Sequence, residues 1–348
     1  MMCRLSLGGR KSMKIACYLT FIHASLALSC GTPPSGSSMG SGSASAHTVL
    51  DTSEAVLPGI HSLFDDVAPF REKRIGVTAN HTALIEGTHL VDSLVGAGLN
   101  VQRIFAPEHG FRGNLADGAI VKDDVDPGTG RSVVSLYGKN KKPRPEQLAD
   151  VDLMIFDIQD VGARFYTFLS TLHYVMESCA EAGIPVWVLD RPNPNRHYVD
   201  GPVLDMSFSS FVGMHPVPAV YGMTIGEYAR MINGEGWLEG GSKCELHVVT
   251  CRNYTSESRY ELPVAPSPNL PDAASIYLYP SLCFFEGTTV SVGRGTSNPF
   301  TVIGEPGNRN GDYEFVPRPV PGVSDHPPRA RVSDETIMIA RARDASRL

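Results

Sequence analysis

Four short apolar runs, spaced to leave room for helices between them, constrain this chain more than any other feature. They are RIGVTAN from Arg74 to Asn80, VQRIFAPEH from Val101, VDLMIFDIQD from Val151 to Asp160, and IPVWVLDRPNP from Ile184. Each is nearly continuous in apolar residues rather than alternating, the pattern of strands covered on both faces. The intervening segments read as helices. His89 to Ala97 is a short apolar-periodic stretch ending at Gly98. Tyr166 to Ala182 is clearer: Phe168, Leu172, Val175 and Cys179 share one face, and Gly183 stops it. Strands and helices in alternation make an α/β domain with a doubly wound parallel sheet. A further helix opens at Thr224 and Glu227, which form a capping box, and its expected stop is Gly234.

The chain's two ends read differently. Arg4, Arg10, Lys11 and Lys14 precede an apolar stretch from Ile15 to Ser29, too short to span a bilayer and proportioned like a secretory signal. It ends LALSC at Cys30, which resembles a lipoprotein signal whose cysteine becomes lipidated. The expected plan is therefore a signal peptide at 1–29, a Gly/Ser/Pro tether at 30–50 and a catalytic domain at 51–262. After Pro263 the character shifts to APSPNLPDAAS and then to strand-like pieces such as TTVSV. A smaller, incomplete α+β domain is expected at 263–325, and a poorly ordered tail at 326–348. The chain would be exported, as a periplasmic or outer-membrane-anchored lipoprotein, touching membrane only through the anchor.

Composition narrows the function classes. The net charge of −7 comes with no basic stripe interleaved with aromatics, so nucleic acid is not an expected partner. No CxxC or His/Cys zinc spacing occurs. Cys244 and Cys251 flank the strand-like ELHVVT, whose length of roughly 23 Å exceeds a disulfide's reach of about 7 Å between Cα atoms. Cys179, Cys244, Cys251 and Cys283 are expected to be buried thiols. No P-loop, dinucleotide fingerprint or H-E-x-x-H is present, and no cofactor is expected.

Ligands of open parallel sheets bind outside the carboxyl ends of the strands. The four runs end in Asn80 and His81, in Glu108, His109 and Arg112, in Asp157, Gln159 and Asp160 with Arg164 and Tyr166 beyond, and in Asp190, Arg191 and Asn193. A solvated turn accounts for any one of these endings, but less readily for four. Glu108 lies between Phe105 and Phe111, where desolvation would raise its pKa as a general acid requires and an arginine would oppose that. Further along, Glu286 and Arg294 could reach the same cleft.

These strings together resemble one family. VTANHTAL, IFAPEHGFRG, VVSLYGKNKKPRPEQL, DLMIFDIQDVGARFYTF, VWVLDRPNP, YGMTIGEYA, SPNLP and FEGTTVSVGRGT run in order from about residue 75 to 305. They look like the bacterial exo-β-N-acetylmuramidases, peptidoglycan hexosaminidases long described only as a domain of unknown function. The resemblance implies a Rossmann-like domain, a smaller C-terminal domain and a cleft between them. It implies release of terminal N-acetylmuramic acid from the non-reducing end of peptidoglycan fragments, with muramic-acid-terminated glycans as partners. By motif match Glu108 leads the catalytic set. With the residue chemistry added, Glu108 would protonate the leaving oxygen, and His109 and Arg112 would tune it. Arg164 would suit the lactyl carboxylate, because a guanidinium pairs bidentately with carboxylates. Asn80, Asp160, Asp190 and Asn193 would bind sugar hydroxyls. The second catalytic group stays open among Asp157, Asp160, Glu286 and the substrate's own N-acetyl group. Family members continue beyond the stretch matching YEFVPRPVPGVSDHPP, so the second domain reads as truncated. Two other readings compete: a non-catalytic sugar-binding lipoprotein, and a metal-dependent hydrolase using Asp157, Asp160, His109 and Asp190, which lacks metal-ligand spacing.

Overall fold

The computed structural model describes residues 55–112, 124–306, 313–318 and 337–339. The expected signal peptide, the Cys30 lipidation site, the tether and most of the expected tail lie outside these residues.

The four apolar runs become the middle of a seven-stranded sheet. In chain order the strands are β1 (Ile75–Ala79), β2 (Val101–Ala106), β3 (Asp124–Val125), β4 (Ser132–Ser135), β5 (Leu153–Asp157), β6 (Val186–Leu189) and β7 (Leu246–Val249). Their order across the sheet is β3-β4-β2-β1-β5-β6-β7. Every neighbouring pair is parallel except the edge pair β3 and β4. The fold is thus α/β and doubly wound, as the continuous apolar runs require. β1 and β5 are buried at all five positions.

Period-two alternation along β5 divides the core into two layers. Met154 and Phe156 join Leu172, Met176, Val186 and Tyr228 on one face. Leu153 and Ile155 join Ile75, Val77, Leu94 and Ile104 on the other. Helix α1 (Leu90–Gly96) covers the second face. Helices α2 (Phe168–Ala182) and α3 (Ile225–Glu235) cover the first. Phe168, Leu172, Val175 and Cys179 of α2 are all buried, and Gly183 ends the helix in the left-handed region at φ 66°.

Three local expectations change. The Thr224–Glu227 capping box forms, but α3 runs through Gly234 and stops on Gly236, which takes φ 70° and donates its N–H to Ile232. A glycine inside a helix costs only about 1 kcal/mol, so the stop falls where a left-handed residue is needed. TTVSV forms no strand; Ser291 makes a single bridge to Gly304. The four cysteines among the described residues are free, and Cys251 is only half-buried because it follows the edge strand β7.

Chain beyond Pro263 packs on the main core. Helix α4 (Ala273–Leu282) opens on an Asp272 cap. It delivers Ile276 and Tyr279 to the layer holding Phe156, and Leu270 and Phe300 join them. A small three-stranded sheet follows, with Ile337–Ile339 between Glu305–Pro306 and Tyr313–Phe315.

Candidate active site

The strand order fixes where a crevice opens. From β1 the chain winds outward through β2 to β4, then returns to β5 on the other side of β1 and continues to β7. The carboxyl end of β1, flanked by β2 and β5, is therefore the switch point where such sheets bind ligands.

Glu108 stands at this point on a tight turn. The Gly110 amide donates to Pro107 O at 3.0 Å, leaving Glu108 and His109 as the two central residues. His109 takes φ 70°. A non-glycine residue in that region costs about 1 kcal/mol or more, a strain that clusters at working sites. The turn presents the Glu108 side chain half-exposed while burying that of His109. Thr167, at the start of α2, donates its hydroxyl to Glu108 Oε2 at 2.9 Å. Since Glu108 follows β2 and Thr167 follows β5, that bond spans the tip of β1.

A second segment is tied to the same strand tips. His81, just past β1, donates from Nε2 to Ala265 O at 2.8 Å. Burial lowers the His81 pKa; the bond to Ala265 opposes that, and nearby His109 adds to it. Tyr166 donates its hydroxyl to Pro266 O at 2.9 Å. The segment around Ala265 and Pro266 is thus tied to the tips of β1 and β5.

The other residues singled out in sequence are used mostly to hold loops. Asn80 is wholly buried; its Oδ1 accepts from the Thr82 amide at 3.0 Å and hydroxyl at 2.6 Å. Asp157 is also wholly buried and pairs through both oxygens with Arg191. Asp160 is 2% exposed and accepts from Tyr221 and, at 2.7 Å, from the Gly162 amide. Burial pushes its pKa up to about 6, with the two donors pulling the other way. Asp190 accepts from the Thr224 hydroxyl and Gly226 amide, each at 2.8 Å, and so anchors the start of α3. Its pKa is likewise pushed up to about 6 by burial. Asn193 joins the Met223 carbonyl and Asn195 amide, each at 2.8 Å.

The arginines follow the same logic. Arg112 forks onto Asp92 and Asp126 at 2.9–3.0 Å, so two carboxylates other than Glu108 hold it. Arg164 donates from Nη1 to Pro202 O at 2.8 Å and to Val217 O, clamping the chain between them, and its side chain is buried. Glu286 pairs with Arg294. The sequence reading placed all of these toward a ligand. The structure instead satisfies most of them internally, because a polar group buried at a sheet edge must find a partner.

Thr167 was not among the sequence candidates, and His81 was named there only as a strand ending with no role. Thr167 sits one residue before the apolar periodicity of α2 begins, where helix-capping residues collect. His81 carries no such signal, since its partner Ala265 lies 184 positions away. A metal reading through Asp157, Asp160, His109 and Asp190 loses its ligands to Arg191, Tyr221 and the α3 cap. The carboxylates close enough to share an ion among the described residues are Glu177, Glu181 and Glu239. Lys142 already bridges the first two, at 2.7 Å from each.

Comparison with known proteins decides the family. Residues 75–274 match the N-terminal family model of the exo-β-N-acetylmuramidase NamZ, and residues 277–327 match its C-terminal model. The chain belongs to the exo-β-N-acetylmuramidase family. It is 42% identical over 261 residues to the peptidoglycan β-N-acetylmuramidase NamZ of Bacillus subtilis strain 168, covering 72% of this chain and 62% of that protein. The chain thus spans less than two thirds of that relative's length. A crystal structure of a DUF1343 family protein from Bacteroides fragilis NCTC 9343 superposes with a TM-score of 0.76 at 43% identity, over 84% of this chain and 78% of that one. A second from the same organism gives 0.71 at 29% identity, over 82% and 76%. Within the exo-β-N-acetylmuramidase family match lie both the Glu108 turn and the segment bonded to His81 and Tyr166.

Proposed function

We propose that this chain is an exo-acting glycoside hydrolase that releases terminal N-acetylmuramic acid from the non-reducing end of peptidoglycan fragments. One observation carries the reading. Glu108 is a half-exposed carboxylate on a strained turn at the switch point, braced by Thr167, while the other strand-end carboxylates Asp157, Asp160 and Asp190 are buried and bonded. Family membership supplies the substrate class.

In this reading Glu108 donates a proton to the glycosidic oxygen as the C1–O bond breaks. The Thr167 hydroxyl fixes the carboxyl so that the proton is delivered along one direction. General acid catalysis of this kind is worth about 10²–10⁴-fold in rate. Asp157, Asp160 and Glu286, the carboxylates considered as a second group, are engaged with Arg191, Tyr221 and Arg294. That supports attack on C1 by the carbonyl oxygen of the substrate's own N-acetyl group. Water then opens the cyclic intermediate, and the Glu108 carboxylate takes the proton that water gives up.

The test is release of muramic acid from a chromogenic muramoside. Release that falls about 10²–10⁴-fold in Glu108→Gln is the expected result. Binding of muramic acid without any release would make the chain a sugar-binding protein instead. Export as a lipoprotein anchored through Cys30 belongs to the same proposal, supported by the basic and apolar pattern before it. Cys30→Ala should move the protein from the membrane fraction to the soluble one.

A further inference from the structure

A basic concavity begins beside the chain that carries Glu108 and runs along α2. β4 pairs with β2 in parallel, with Ser135 opposite Ala106, and the Leu136 amide donates to Ala106 O at 2.8 Å. The chain leaving β4 therefore emerges beside the chain that carries Glu108, about 4.8 Å away. It continues as GKNKKPRP, Gly138 to Pro145, with four cations in eight residues. With Tyr174 and Glu181 of α2, this loop lines an open cavity of ≈ 500 Å³. Its lining holds four cations against the single carboxylate of Glu181. In a chain of net charge −7 this is a local reversal of sign.

The loop is built rather than loose. Asn140 donates to Ser135 O at 3.0 Å, and the Ser178 hydroxyl donates to Pro143 O at 2.9 Å. Lys142 is consumed by Glu177 and Glu181, and Arg144 by Glu146. Lys139 and Lys141 have no carboxylate partner among the described residues. Lys141 sits 4.1 Å over the Phe211 ring, which in turn stacks on Tyr174.

Helix α2 gives the distance from Glu108. Thr167, Thr171, Tyr174, Ser178 and Glu181 fall on one face at helical spacing. Thr167 holds Glu108 at the start of the helix, Tyr174 lines the near side of the cavity at mid-helix, and Glu181 lines its far side in the last turn. Seven residues separate Thr167 from Tyr174, about 10 Å along the axis. That is roughly the reach of a disaccharide.

We infer that this cavity binds a carboxylate carried by the second muramoyl residue beyond the scissile bond, with Lys139 and Lys141 as its ligands. The inference rests on the glycosidase reading above. In a glycan alternating glucosamine and muramic acid, cleavage after the terminal muramic acid leaves glucosamine next and muramic acid beyond it. That second muramoyl unit carries either a free lactyl carboxylate or a peptide stem with its own carboxylates. Both offer the same chemistry to an ammonium pair.

The experiment compares four substrates with the wild type and with Lys139→Ala/Lys141→Ala. A chromogenic muramoside ends at the scissile bond. A muramic-acid-terminated tetrasaccharide carries the inner lactyl carboxylate. A third has that carboxylate amidated, and a fourth carries a peptide stem there. The double variant should lose about tenfold in kcat/KM on the charged tetrasaccharide, chiefly through KM, since two exposed ion pairs are worth up to about fivefold each. It should stay within about twofold of the wild type on the muramoside and on the amidated tetrasaccharide, and Lys→Arg at both positions should restore the loss. A larger loss on the peptide-bearing substrate than on the free-lactyl one assigns the carboxylate to the stem, and the reverse assigns it to lactate. Equal losses on the muramoside and the charged tetrasaccharide, or no loss on either, overturn the inference. No release from the muramoside by the wild type overturns the glycosidase reading, and this inference with it.

Discussion

Two halves of one sheet edge treat polar residues in opposite ways. At the tips of β1, β5 and β6, Asn80, Asp157, Asp160, Asp190 and Asn193 are buried, and each has protein partners. At the tips of β2 and β4, Glu108 is half-exposed on a strained turn, and the lysines after β4 line an open cavity. Both halves look alike in sequence, since each strand ends in charged or amide residues. The difference teaches that polarity at the carboxyl end of a parallel sheet marks a place, not a role. In the function proposed above, exposure together with backbone strain separates the working half from the scaffold half.

The sharpest way to break the comparison is to remove a scaffold charge. Asp157→Asn leaves the Arg191 guanidinium buried without its bidentate partner. The expected cost is about 3–5 kcal/mol of stability, read as a lower denaturant midpoint. A variant as stable as the wild type would show that Asp157 is not scaffold.

Asp160 sharpens the comparison through pH. Burial pushes its carboxyl up to about 6 in the fold, against about 3.9 for a free aspartate. The folded state therefore holds this proton more tightly than the unfolded chain does. Stability from this group is complete below about pH 4 and is lost as pH rises through about 6. Asp160→Asn removes that dependence. Relative to the wild type it should fare better at pH 8 than at pH 4, by roughly 3 kcal/mol. Denaturant melts at the two pH values check the sign.

The working half should respond in rate rather than stability. Thr167→Val removes the hydroxyl that holds Glu108 and should lower kcat by about tenfold, the worth of one hydrogen bond to a charged group. Stability should change by about 1 kcal/mol or less. The smallest effect is at His109. Replacing it with glycine relieves the left-handed backbone but removes a buried side chain and adds unfolded-chain entropy, so stability should change by about 1 kcal/mol or less while the Glu108 turn loosens.

The fold was legible because burial on both faces leaves its mark on each residue of a strand. β1, β2, β5 and β6 stand out as apolar runs for that reason. β3 and β4 do not, because β3 is two exposed residues and β4 is only four long. The position of Glu108 was legible from its turn formers and from the rule that ligands meet strand ends. The scaffold roles were not, because they depend on partners far along the chain. Arg191 reaches Asp157 across 34 positions and Tyr221 reaches Asp160 across 61. Only strand adjacency, set by the crossover order, brings such groups together. The stop of α3 at Gly236 rather than Gly234 has a local cause: either glycine could end the helix, and the cap geometry chose the second.

The most direct test sets Glu108→Gln beside Asp157→Asn and measures muramic acid release and melting temperature for both. Glu108→Gln should lose about 10²–10⁴-fold in release and melt within about 2 °C of the wild type, while Asp157→Asn melts well below it. Wild-type release in Glu108→Gln, or a melting temperature lowered as far as in Asp157→Asn, would contradict the division of the rim into a working half and a scaffold half.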